Sequence, residues 1–205
     1  MAVGTPKSKV FEFRGIDKVM YAKLLTDNDE GITWETPKEL APIAELSKEV
    51  ETSSESHYYN NQPLISLTSQ GADTLTLSLS AIPLEVLADI TGRYFDEATG
   101  AMSENSGTAP DIALLYRTKG TDGFYRYVVR YKCKCTIRSE TVATEDDGTD
   151  ANGQEIEIIG INTVHEFTKG GSAKALVVDE RYGNADLAEF FTEVKTIDSI
   201  TTKGA

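Results

Sequence analysis

Apolar residues along this chain recur mainly at every second position. Asp73 to Ser80 reads DTLTLSLS, so Leu75, Leu77 and Leu79 fall on one face and Thr74, Thr76, Ser78 and Ser80 on the other. That is the signature of a strand with one face buried. Phe124 to Ile137, FYRYVVRYKCKCTI, is dense in aromatic and β-branched residues, which suit a pleated, half-buried surface. Thr121-Asp122-Gly123 supplies turn chemistry just before it, so Asp111 to Lys119 pairs with it as a hairpin. The same reading predicts strands over Val19–Leu25, Ile43–Val50, Leu64–Ser69, Gln154–Phe167 and Ala173–Val178. About eight strands separated by turns specify a mainly β fold, a sandwich or a barrel.

Two segments depart from this period. Pro83 is placed to open a short helix with Leu84, Val86, Leu87 and Ile90 as its apolar stripe and Gly92 as its stop. Asn184 is placed to cap a second, with Leu187, Phe190, Phe191 and Val194 on its buried side. Asp27–Pro42, Asp96–Pro110 and Glu145–Gly153 read as loops. With no internal repeat and no long linker, residues 1–205 are expected to form one domain, with extended arms over 1–15 and 195–205.

Composition narrows the functional classes. Hydrophobic residues at 40% and charged residues at 26% match an ordinary folded domain. The formal net charge of -13 argues against tight nucleic-acid binding, which relies on clustered Lys and Arg. No apolar run is long enough to read as a membrane-spanning helix, and the start, MAVGTPKSKVFEFRG, lacks a signal peptide's apolar stretch. Synthesis and assembly in the cytoplasm are therefore expected, with no membrane partner. Cys133 and Cys135, the two cysteines, point to one face of a strand, a spacing that disfavours a disulfide, and read as packed thiols.

Signatures of catalysis are missing. The chain has no GxxxxGK loop, no GxSxG elbow and no HExxH helix. The acidic stretch EDDGTDANG fails the EF-hand pattern in both registers: with Gly148 at position 6, Ala143 falls at position 1, and with Gly153 there, Gly148 does. Neither an enzyme nor a cofactor or metal site is predicted. A carboxylate site among Glu145, Asp146 and Asp147 would be the rival enzymatic reading. Trp34, the single tryptophan, fits either an interface anchor or a local core plug.

Read in order, three blocks resemble the major tail proteins of phages with long non-contractile tails that infect Gram-positive bacteria. They are GIDKVMYAKLLTDNDEGITWETPKELAPIAELSKEVE, DTLTLSLSAIPLEVLADITGRYFDEATGAM, and ALLYRTKGTDGFYRYVVRYKCKCTIRSETVATEDDG followed by EIEIIG. The resemblance implies a β-sandwich with one or two short peripheral helices, six copies closing into a β-barrel ring, and rings stacking into a tube around a tape-measure protein. It further implies terminator and tip proteins as partners, DNA passing through the lumen without specific binding, and a place in the virion tail. The tube protein of a contractile or type VI secretion-like system, or a β-sandwich binding module, are the alternatives.

Two sets of residues follow as candidates. A conduit for a polyanion should not present basic residues to it. Glu140, Glu145, Asp146, Asp147, Glu155 and Glu157 are therefore the predicted lumen lining, with Glu51 and Glu55 behind them. Glu155 and Glu157 share one strand face and Ile156 and Ile158 the other. The segment Glu51–Pro63, ETSSESHYYNNQP, is expected to protrude, with His57, Tyr58 and Tyr59 contacting the next ring.

Overall fold

The computed structural model describes residues 10–140 and 153–204, excluding the side chains at 58–59, 63–65 and 138–140. Eleven strands, one α-helix and one 3₁₀ turn follow the order β1 (Phe13–Asn28), β2 (Gly31–Trp34), β3 (Lys38–Glu39), β4 (Ile43–Tyr59), β5 (Gln62–Leu79), α1 (Leu84–Thr91), β6 (Tyr94–Asp96), β7 (Ala101–Ser103), β8 (Asp111–Gly120), β9 (Tyr125–Glu140), β10 (Gln154–Ile161), β11 (Ala175–Asp179) and the turn Glu180–Tyr182. The main sheet runs β2-β1-β8-β9-β10-β5-β4, with β3 on β1 and β11 on β9. All of its pairings are antiparallel.

This sheet curls over one core. Leu75, Leu77 and Leu79 of β5 and Ile156 and Ile158 of β10 pack with Val19 and Tyr21 of β1, Ile112, Leu114 and Tyr116 of β8, and Cys133 and Cys135 of β9. The two halves of the curled sheet thus face each other as in a sandwich. A bulge in β9, between the pairs Ile112–Cys133 and Leu114–Arg130, resets the side-chain phase. It keeps both cysteines on the Val128 face. The outer strands approach at a crevice lined by Ile16, Val19, Ala41 and Ile43, yet β1 and β4 form no ladder among the described residues. The single subunit is therefore mainly β and not a closed barrel.

Helix α1 packs Leu87 and Ile90 into this core, with Ile82 just before the helix beside them. Pro83 is its N-cap residue rather than its first helical residue, and Gly92 ends it at φ 70. A Cβ at Gly92 would lie 2.1 Å from the Thr108 carbonyl oxygen, so both the turn and the packing require glycine.

A second core covers the other face of β1, β8 and β9. Met20, Ala22, Leu115, Tyr127, Val129 and Tyr131 lie under Phe167, Leu176, Phe190 and Phe191, with Leu187, Val194, Ile197 and Ile200 against them. Here the sequence expectation is corrected, because no helix forms after Asn184. Ala185 bridges Thr202, and the Asn184 carbonyl accepts from the Lys203 amide at 2.8 Å. The residues that would open the helix are thus tied to the chain's end, and Leu187 to Val194 passes through turns whose apolar groups reach the sheet face. Three further corrections concern boundaries. Leu64–Ser69 and Asp73–Ser80 belong to one strand, β5, the loops at 27–42 and 96–110 contain β2, β3 and β7, and the strand begun at Gln154 ends at Ile161.

Candidate assembly surfaces

Strands β4, β5, β10 and β9 turn one polar face outward. On β4 it carries Glu45, Ser47 and Glu49, which pair with Ser78, Thr76 and Thr74 of β5. Those pair in turn with Glu155, Glu157 and Ile159 of β10, and Thr136 and Lys134 of β9 complete the row. The reverse of each strand supplies core residues: Leu46, Leu75, Leu77, Ile156, Ile158 and Cys135. Glu155 and Glu157 are partly exposed while Ile156 and Ile158 are fully buried, the alternation that period two demands. Around Ile159, which is 38% exposed, the face holds hydroxyls and carboxylates, with the cation Lys134 at its β9 side.

The acidic row extends further along β4. At the irregularity after Val50 the extra residue lies on β5, where Asp73 to Gln70 opposes Val50 to Thr52. β4 therefore keeps its phase, and Glu51 and Glu55 continue the line begun by Glu45 and Glu49. Glu45 and Glu49, which sequence reasoning did not name, share this face with Glu51 and Glu55. The signal was present as the period-two glutamates of ELSKEVETSSE, hidden by the intervening Lys48. Of the other predicted lumen residues, Glu140 ends β9 opposite Gln154 with its side chain outside the described set. Glu145, Asp146 and Asp147 lie outside the described residues.

Beyond the Gly160–Asp73 pair, β5 loses β10 and continues with β4 alone as a two-stranded ribbon. Asn60 and Asn61 turn its tip with φ 50 and 63, values that asparagine tolerates. At about 3.3 Å per residue, Glu51 to Tyr59 spans about 30 Å. Its described side chains are exposed apart from the half-buried His57. Ser53 and Ser69 bond across the ribbon at 2.9 Å. The backbones of Tyr58 and Tyr59 pair with Pro63 and Gln62 at the tip, and their side chains lie outside the described set.

Among the described residues both edges of this four-stranded unit are open: β4 pairs only with β5, and β9 beyond Lys134 has lost β8 and pairs only with β10. Because four antiparallel strands alternate in direction, β4 of one copy meets β9 of another antiparallel, and the pairing can repeat without a parity break.

Other charged groups serve the fold. Asp27 accepts from Lys132 Nζ at 2.6 Å and from the amides of Val164 and His165, joining β1 to the covering segment. Asp89 of α1 accepts from Tyr21 Oη at 2.8 Å and from Lys38 at 3.2 Å, and pairs with Lys23. Arg181, 2% exposed, is held by Asp122 and Asp179 and stacks over Phe11 at 3.3 Å. Trp34 plugs the second core, stacked on Tyr131 with its Nε1 donating to the Tyr131 carbonyl at 2.9 Å. Burial pushes the Cys133 and Cys135 thiols up to about 12, so neither is a reactive thiolate. Among the described residues no group of His, Cys, Asp or Glu is arranged to hold a metal, and no helix is long and apolar enough to cross a membrane.

The described residues thus form a curled antiparallel sheet with two open edges, an uncovered polar face and a projecting ribbon, the form of a structural subunit rather than of a catalytic site. The model of the phage tail tube protein family matches residues 28–178, and the chain belongs to that family. It is a structural subunit of a phage tail tube, and so a component of the virion tail that assembles with further copies of itself. Among solved structures, the tube-terminating cap of the anti-feeding prophage is similar, at 11% identity and a TM-score of 0.41, covering 84% of this chain and 94% of the cap. No curated protein matches.

Proposed function

We propose that the subunits close into hexameric rings through β4 of one copy and the end of β9 of the next, and that the polar face of β4, β5, β10 and β9 lines the channel. The observation that carries this is the coincidence of two open edges with an uncovered hydroxyl and carboxylate face on the same four strands. Closed barrels of about 8 strands are filled by their own side chains, and an open channel needs about 16 or more. Two copies would thus fill their lumen. Six copies give 24 strands, whose spacing of about 4.8 Å and tilt of about 40° set opposite backbones about 50 Å apart. Such a channel admits duplex DNA. Six subunits at -13 each carry -78 per ring, and the share facing inward discourages phosphate adhesion.

In this reading the β4–β5 ribbon reaches the neighbouring ring, the stack forms on a tape-measure protein, terminator and tip proteins close its ends, and assembly takes place in the host cytoplasm. The subunit acts by self-association alone and carries out no catalysis. Negative-stain microscopy of the purified protein at rising concentration tests the proposal. Rings and hollow tubes are the expected result; solid fibres or a persistent monomer at all concentrations would contradict it.

A further inference from the structure

Where β10 ends, the sheet forks. β5 runs on into the ribbon, while β9 exchanges β10 for β11 along the same edge. Asp73 sits in the angle of this fork and is 4% exposed. Its carboxylate meets three cations from three elements: Arg130 of β9, Lys174 just before β11 at 3.1 Å, and Lys48 of β4 at 3.5 Å. Lys174 Nζ also donates to the Gly71 carbonyl, at the point where β5 carries its extra residue. Burial alone would raise the Asp73 pKa, but the Lys174 hydrogen bond and the Arg130 and Lys48 charges outweigh it and hold the group ionised.

Burying such a cluster adds little net stability, because desolvation offsets most of the attraction, and Arg130 Nε is left without a partner. What a cluster of this kind supplies is direction. A two-stranded ribbon is not stiff by itself, and the described side-chain bonds beyond the fork run between its own strands. The irregularity at Gly71 and Ala72 gives the ribbon room to bend. We propose that Asp73 is a positioning residue for the β4–β5 ribbon: its carboxylate ties β4, β9 and the start of β11 together and so fixes the direction in which the ribbon leaves the subunit. The consequence for tube building rests on the ribbon being the contact between rings.

Spin labels on Gln62→Cys, exposed at the ribbon tip, and Val177→Cys report that direction in the full chain, since Cys133 and Cys135 are buried and stay unlabelled. A swing of about 20° at the root moves the tip of a ribbon about 30 Å long by about 10 Å. The wild-type background should give one narrow distance distribution. Asp73→Asn, and separately Lys174→Met, should broaden or shift it by about that amount. Lys174→Met leaves the Arg130 pair intact and remains informative should Asp73→Asn fail to fold. A narrow, unshifted distribution in folded Lys174→Met would overturn the proposal. A broadened distribution together with normal tube formation would uphold the positioning role and reject the ribbon as the contact between rings.

Discussion

Asp27 shows how single carboxylates hold this subunit together. Burial pushes its pKa up, but the Lys132 ammonium and the amides of Val164 and His165 overcome that and hold it below the ordinary carboxylate value. Asp73, Asp89 and Asp179 are held low in the same balance. A carboxylate with a depressed folded pKa stabilises the fold above its unfolded pKa and loses that contribution as pH falls through the folded value. Melting temperature should therefore be level near neutrality and drop below about pH 4. Asp27→Ala should cost about 3 kcal/mol at pH 7 and make the acid decline shallower, as thermal melts from pH 7 to pH 3 would record. In the core, Leu77→Ala should cost about 2–5 kcal/mol in denaturant unfolding, because Leu77 is fully buried between β10 and β4. The faces of Glu155, Glu157, Leu75 and Leu77 were legible because alternation within one strand needs no partner. Asp73 was not, since its partner Arg130 is far away in sequence and only the fork brings them together. Trp34 was undecidable for the same reason, as its acceptor is on Tyr131.

At the scale of elements, long-range pairing decided what local pattern left open. Gln70 to Ala72 fell between two predicted strands, but β4 continues beside them and carries β5 through the irregularity as one strand. The helix expected after Asn184 gave way to turns because a hydrophobic sheet face was available, and tertiary burial outweighs the weak propensity of a short helix. Helix α1 was legible because its stop signal is local: only glycine fits the left-handed position beside Thr108. The β4–β5 ribbon carries the prediction proper to this scale. Replacing Tyr58 and Tyr59 by alanine should leave the melting temperature of the subunit within about 1 °C, and the described ribbon residues from Glu51 to His57 belong to neither core. Ring stacking should be lost, with short or single rings seen by microscopy at concentrations where the wild type forms tubes. Wild-type tubes from that variant would remove the tip from the contact between rings.

For the whole molecule, assembly follows from what one copy leaves unsatisfied. Open edges invite strand addition, and a four-stranded unit with an even parity can pass that invitation around a ring. In the proposed ring its acidic face meets the channel, and the covered face of β1, β8 and β9, under the segment from Phe167 to Ile200, meets the outside. Glu155→Lys with Glu157→Lys should leave tubes intact and slow DNA release from the tail, because basic groups in the lumen would bind phosphates with counterion release. The effect should weaken as salt is raised. The most direct test is a density map of the assembled tube at side-chain resolution. It should show four strands per subunit in one continuous wall, β4 hydrogen-bonded to the end of a neighbour's β9, and Glu155 and Glu157 pointing into the channel. A map with those two glutamates on the outer surface, or with subunits joined through any other strands, would contradict the account.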